Sequence, residues 1–359
     1  MYPLAKEGFH GGTELYVRRI ASGLAGKGHV CHVVAPDLEG PMQMRGEREF
    51  WWGPESFPTE ADCVVMFHAL AGVEPYSADL LVLATNGVDP YLGSDPAWVH
   101  NIDAYPVFSQ KHAELLTLNR GVPPERMYVT GLGVDDAEPS SILTVPHRWF
   151  YSNDPARGLW HVLDIFQEYR LEFPEATLHV GYSFDRQFEH HRWNATSTAE
   201  ALWACRERME NDRSITVLPE MTRADVAREM GECFVHVMPS DPPNVGSQIH
   251  GMLQMELASY GVPLVLASTE AFPEVFGEAA MILPLPGTFI PEHMVRYSCV
   301  DWACELVNLA REPERMLEMS QKSFALAGRH SWRAVVDRWD SMLVLLEGQV
   351  GRARTAVGV

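Results

Sequence analysis

Three stretches of this sequence carry residue types suited to a phosphorylated ligand. Gly11-Gly12-Thr13-Glu14 stands directly before a helical pattern that runs to about Ala25. Adjacent glycines let a backbone approach a ligand closely, and a helix N-terminus offers free N–H groups and a positive dipole end to phosphate. The same residues also suit a turn that merely starts a helix. In Ser152-Asn153-Asp154-Pro155-Ala156-Arg157-Gly158-Leu159 a strand pattern ends, and Arg157 falls just before the next helix. There its guanidinium either pairs bidentately with a diphosphate or is solvated in a surface loop. The third stretch is Gln248-Ile249-His250-Gly251-Met252-Leu253-Gln254-Met255-Glu256-Leu257-Ala258. The spacing predicts a helix over 249–260, with Gln248 at its start and Glu256 about 12 Å along roughly the same side. A carboxylate set among Met255, Leu257 and Ala258 is costly unless something pairs with it, and a ribose diol is one such partner.

The elements that would position these residues alternate almost throughout. Strand patterns in the first half fall at 29–36, 63–67, 80–84, 106–109 and 127–130. In the second half they fall at 149–152, 177–181, 215–218, 234–238, 264–267 and 281–283. Most are near-continuous apolar runs, as in parallel strands covered on both faces. Amphipathic helical patterns lie between them, which predicts two doubly wound α/β units with a break near 140–146. Ligands of such sheets bind at the carboxyl ends of the strands, where all three stretches lie. The stretches 37–57 and 88–101 read as loops. Trp51, Trp52 and Tyr91 within them suit either stacking on a sugar or burial.

With 359 residues, 46% hydrophobic and 21% charged, the chain is long enough for two globular cores. A formal net charge of −20 disfavours nucleic acid and anionic membrane surfaces as partners. Six scattered cysteines suggest neither a disulfide framework nor a zinc site, and His190-His191 reads as part of a polar loop. No apolar run approaches the ~20 residues that span a bilayer, and no signal region opens the chain, so a cytoplasmic location without membrane insertion is expected.

The third stretch, followed by Gly261-Val262-Pro263, resembles the E-x7-E motif of retaining GT-B-fold glycosyltransferases of family four. Gly11-Gly12, Gly28-His29-Val30, Gly133-Val134-Asp135, Arg157-Gly158-Leu159 and His330-Ser331-Trp332 resemble the same family in the same order, across nearly the whole chain. The resemblance implies two Rossmann-like domains facing across a cleft. The acceptor-side domain would cover 1–143 and the nucleotide-sugar domain 144–330, with a C-terminal helical segment over 331–359 packing back on the first. It further implies a glycosyltransferase that takes hexose or pentose from a UDP- or GDP-sugar with retention, using the donor as co-substrate and no resident cofactor or metal. Gly11, Gly12 and Arg157 would meet the diphosphate, His250, Gly251 and Met252 the phosphates or sugar, and Glu256 the ribose. Gln248 stands at the first-glutamate position beside the transferred sugar. Asn86 or His68 stands nearest the position of the family's loop histidine. The chain departs from the family in having glutamine at 248, a single clear basic residue at the 157 turn, and only a short segment before Gly11. It contains no D-x-D motif, in keeping with chemistry that needs no metal. The acceptor is left open among a glycan, a small molecule and a modified nucleobase. A sugar-nucleotide epimerase and a non-catalytic nucleotide-sugar-binding protein are the other readings of the same architecture.

Overall fold

The computed structural model describes residues 12–34, 42–53, 58–67, 77–85, 87, 96–135, 144–181, 196–219, 221–240, 250–287, 289–290 and 295–357. The chain forms two compact units, Met1–Gly133 together with His330–Val359, and Val134–Arg329.

In the first unit helix α1 (Gly12–Gly26) leads into β1 (Cys31–Val34), which pairs in parallel with β3 (Glu49–Trp52). Strand β2 (Met42–Met44) runs antiparallel to β3. Parallel pairs follow: β4 (Glu60–Phe67) with β5 (Ser77–Ala84), and β6 (Tyr105–Val107) with β7 (Met127–Val129). A parallel bridge between Val82 and Ala104 links the two pairs. Helix α2 (Gln110–Arg120), capped by Ser109, covers β6 and β7 and buries Ala113 and Leu116 against Leu83, Tyr105 and Val107. The last helix of the chain, α10 (Trp332–Val357), lies against α1. There Trp339 Nε1 donates to Tyr16 Oη at 2.9 Å, and the rings of Phe67, Phe108 and Trp332 surround Tyr16. Gly23 permits that approach, because a Cβ on it would lie 2.3 Å from Val336 Cγ2.

The stretch 37–57, expected to be a loop, carries β2 and β3. Trp51 is 0% exposed, its Nε1 donates to Glu49 Oε1 at 2.7 Å, and the Arg45 guanidinium stands 4.1 Å from its ring centroid. It is a core residue held by polar partners at its edge and a cation at its face, so it offers no platform to a sugar. Tyr91 lies outside the described residues.

The second unit holds β8 (Arg148–Tyr151), α3 (Leu159–Tyr169), β9 (Thr177–Val180), α4 (Thr196–Asn211), β10 (Ile215–Val217) and α5 (Arg223–Glu232). It continues through β11 (His236–Met238), α6 (Met252–Ser259), β12 (Leu264–Ala267), α7 (Phe272–Phe276) and β13 (Met281–Leu283). A small antiparallel pair, Phe289–Ile290 with Val295–Arg296, precedes α8 (Cys299–Ala310) and α9 (Pro313–Arg329). The parallel sheets β10-β9-β8 and β11-β12-β13 are joined through a Trp149–Val235 bridge. The order β10-β9-β8-β11-β12-β13 is therefore that of a doubly wound α/β unit, and the winding reverses between β8 and β11. The apolar runs read from the sequence form this sheet, with Trp149, Phe150, Leu178, Val180, Val237 and Leu264–Ala267 buried beneath its helices. Among the described residues, no helix is long and apolar enough to cross a membrane.

Candidate functional site

The reversal point lies between the carboxyl ends of β8 and β11, so the loops after these two strands frame the crevice where an α/β sheet takes its ligand. After β8, Asp154 accepts from the Ala156 N–H at 2.9 Å, and Pro155–Arg157 form one 3₁₀ turn. Gly158 then adopts φ 101°, ψ 24° and α3 begins without a side-chain cap. Arg157 is half-buried on this turn and, among the described residues, makes no ion pair. After β11 the chain passes Pro239 and Ser240 and returns to the described residues at His250. Asn153 Nδ2 meets Met238 Sδ at 3.3 Å, which ties the two strand ends together.

The start of α6 differs from the expected one. The helix begins at Met252, because Gly251 at φ 100°, ψ 73° interrupts it. A side chain there would be strained by the dihedral, and its Cβ would lie 2.9 Å from both Gln254 Oε1 and Phe272 Cε1. The helix of 249–260 is thus shortened to 252–259, with no continuous helix through Gly251. Gly251 has no side chain to cap the first N–H groups of α6, which suits them to an external acceptor. His250 turns inward: it is 1% exposed, with its ring edge-on to Phe276 at 6.4 Å. A ligand here would meet the backbone of 250–252 rather than the imidazole.

His236, which the sequence reading did not single out, supports this turn from below. The residue is fully buried on β11. Its Nδ1 donates to the Phe150 carbonyl at 3.2 Å, and its Nε2 accepts from Gln254 Nε2 at 3.1 Å. Burial pushes its pKa down to about 4, the Phe150 carbonyl opposing the shift, so the imidazole is neutral and acts as a spacer between sheet and helix.

Glu256 lies one turn along α6, and its side chain is 13% exposed. Its Oε1 accepts from Arg223 Nη1 at 2.9 Å. Burial holds the carboxyl above the usual carboxylate range; Arg223 opposes that shift and Asp135 adds to it. The pair lines a cavity of about 280 Å³ between α5 and α6, together with Asp135, Ala227, Ser259 and Tyr260. Arg223 is set in place by a capping box: the Thr222 hydroxyl accepts from the Asp225 N–H, and the Asp225 carboxylate accepts from the Thr222 N–H. The sequence contains the box, but not the partnership across 33 residues.

Of the sequence candidates, the structure brings Arg157, His250, Gly251, Met252 and Glu256 into one unit, on the two loops and the helix that frame the reversal. Gly12 is the exposed first residue of α1 in the other unit. Gly11, His68, Asn86 and Gln248 lie outside the described residues. Chemically, the arrangement offers two uncapped helix N-termini and a guanidinium for an anion. It also offers a buried carboxylate beside a cavity for a hydroxyl-bearing group.

No protein-family model matches the sequence, and no curated protein sequence matches it. Solved structures do match. Sucrose-phosphate synthase from Thermosynechococcus elongatus is similar at TM-score 0.68 and 13% identity, over 99% of this chain and 97% of that one. A glycosyltransferase from Rickettsia africae is similar at TM-score 0.66 and 10% identity, over 94% of this chain and 95% of that one. The pneumococcal O-GlcNAc transferase GtfA, solved with UDP and GlcNAc, is similar at TM-score 0.55 and 13% identity over 75% of this chain. The chain spans about half of that protein's length, 53%. The fold of this chain is the GT-B fold of glycosyltransferases.

Proposed function

We propose that the protein is a glycosyltransferase that moves a sugar from a UDP- or GDP-sugar to an acceptor hydroxyl, with retention and without a metal ion at the donor. The observation that carries this reading is the winding reversal of the second unit. It sets the Arg157 turn and the uncapped start of α6 on neighbouring strand ends, with Glu256 one turn further on. Arg157 and the two helix N-termini balance the diphosphate charge, the role a cation would otherwise fill. Glu256 accepts from the ribose hydroxyls. The family resemblance alone would assign Gln248, and Asn86 or His68, to the transferred sugar and Gly11-Gly12 to the phosphates. The bond from the anomeric carbon to the diphosphate breaks and one to the acceptor oxygen forms on the same face. The departing phosphate oxygen takes the acceptor proton. All six cysteines are free, which suits work in the cytoplasm. GtfA was solved with UDP, which makes a uridine nucleotide the first donor class to try.

The test is the melting temperature of the full chain with UDP, GDP, ADP and TDP, each with and without EDTA. One nucleotide at 100 times its dissociation constant should stabilise by about 2.7 kcal/mol, equally in EDTA. No shift with any nucleotide would overturn the donor site. A shift without transfer or donor hydrolysis would leave a nucleotide-sugar-binding protein that is not an enzyme.

A further inference from the structure

We infer that His161, Asp164 and Cys299 form a binding site for a zinc-class divalent cation that clamps α3 to α8, with ligands other than the residues assigned to the donor. One donor atom from each residue lies within 4.8 Å of the other two, and all three side chains are half-buried. Nδ1 of His161 and Sγ of Cys299 are 3.7 Å apart. Zinc bonds of about 2.3 Å to sulfur and about 2.0 Å to nitrogen at a tetrahedral angle require a separation of about 3.5 Å. The two atoms, in hydrogen-bond contact with each other, thus already stand close to the spacing that a shared ion would impose.

The local structure prepares each ligand. His161 and Asp164 are three residues apart on α3, hence on one face. Cys299 is the first residue of α8, whose start is fixed by a capping box: the Ser298 hydroxyl accepts from the Asp301 N–H, and the Asp301 carboxylate accepts from the Ser298 N–H. α3 and α8 pack against each other, which brings 161 and 299 together across 138 positions of sequence. Behind the ligands, Arg208 Nη1 donates to Asp164 Oδ1 at 2.8 Å, and Arg208 Nη2 donates to Gln167 Oε1 at 2.9 Å. This orients the carboxylate while leaving it lone pairs for an ion. One thiolate, one imidazole and one carboxylate form a borderline-soft set that suits zinc or cobalt and disfavours magnesium or calcium. Three protein ligands leave the fourth position to water.

The experiment titrates the full chain, stripped of metal by a chelator, with Co²⁺ and separately with Zn²⁺. The expected result is a thiolate-to-cobalt charge-transfer band that saturates at one equivalent and is bleached by Zn²⁺. Zn²⁺ should also raise the melting temperature. C299S should lose both signals, and H161Q should weaken binding at least tenfold. C304S, which removes the exposed thiol of the same helix, should keep both signals. If C299S does not fold, H161Q carries the same reading. No thiolate band, or a band that survives both C299S and H161Q, would overturn the site. The nucleotide shift measured in EDTA is independent of this outcome, so the two proposals stand or fall separately.

Discussion

Within the second unit, two helices begin one way and two another. α5 and α8 start with complete capping boxes, Thr222 with Asp225 and Ser298 with Asp301, so their first N–H groups are partly satisfied by their own side chains. α3 and α6 start from left-handed glycines, Gly158 and Gly251, with no side-chain cap. A glycine at the N-cap forgoes a few tenths of a kcal/mol, roughly 0.3, that a serine or aspartate would supply. α7, which starts from Ala271, also lacks a side-chain cap, but of these three only α3 and α6 start from glycine, and these two follow β8 and β11, the strands on either side of the winding reversal. The capped helices are held by the chain itself. The glycine-started ones present N–H donors that suit an anion.

This contrast can be broken most forcefully through what supports α6. His236 is neutral when folded, with its pKa near 4 against an ordinary 6.5. The unfolded chain therefore binds the extra proton first. Its stabilising contribution is complete above pH 6.5, falls as the pH drops toward 4, and levels off below. The loss is about 3 kcal/mol at the scale of 1.36 kcal/mol per pK unit. In the first unit, burial also pushes His112 down to about 4, so wild-type protein shares the acid loss between units. Urea unfolding at stepped pH should show a shallower decline in H236Q. An unchanged slope would mean that His236 is not a neutral spacer.

The next largest effect concerns the ligand side of α6. E256A should weaken donor binding about 100-fold, close to 2.7 kcal/mol, by removing charge-assisted hydrogen bonds to the ribose. Arg223 is 56% exposed and turns to water when its partner is gone, so the melting temperature without nucleotide should move little. A large drop in stability with unchanged nucleotide affinity would make Glu256 a structural partner of Arg223. On the other side of the reversal, R157A should weaken binding about tenfold, roughly 1.4 kcal/mol, because one guanidinium contact is lost while both helix termini remain. Calorimetric titration of the nucleotide reads both variants.

Much of the second unit was legible in the sequence because its strands are buried on both faces and read as unbroken apolar runs. Leu264–Ala267 and Met281–Leu283 match residue for residue. β3 was missed because Glu49 and Trp51 bury each other: a carboxylate and two adjacent indoles look like surface until the hydrogen bond between them is seen. The start of α6 was misplaced because nothing in the residue types of 249–260 sets Gly251 apart from a glycine within a helix, and only the backbone dihedral marks the break. The Arg223–Glu256 pair and the His161–Asp164–Cys299 cluster join positions 33 and 138 apart. No local pattern encodes such pairs, since packing of helices on the sheet creates them.

The smallest predicted effect tests the capped side of the contrast. Ser298 Oγ accepts from the Asp301 N–H at 3.3 Å and donates to Asp301 Oδ2 at 2.6 Å. S298A should therefore destabilise the metal-free protein by about 1 kcal/mol, the ordinary cost of losing an N-cap, seen as a lower urea midpoint at unchanged slope. The rise in melting temperature with nucleotide should be the same as in wild type, because α8 follows β13 at the sheet edge and takes no part at the reversal. If S298A instead reduced the nucleotide shift, capped and uncapped helices would be serving one ligand, and the division of labour drawn from their first turns would fail.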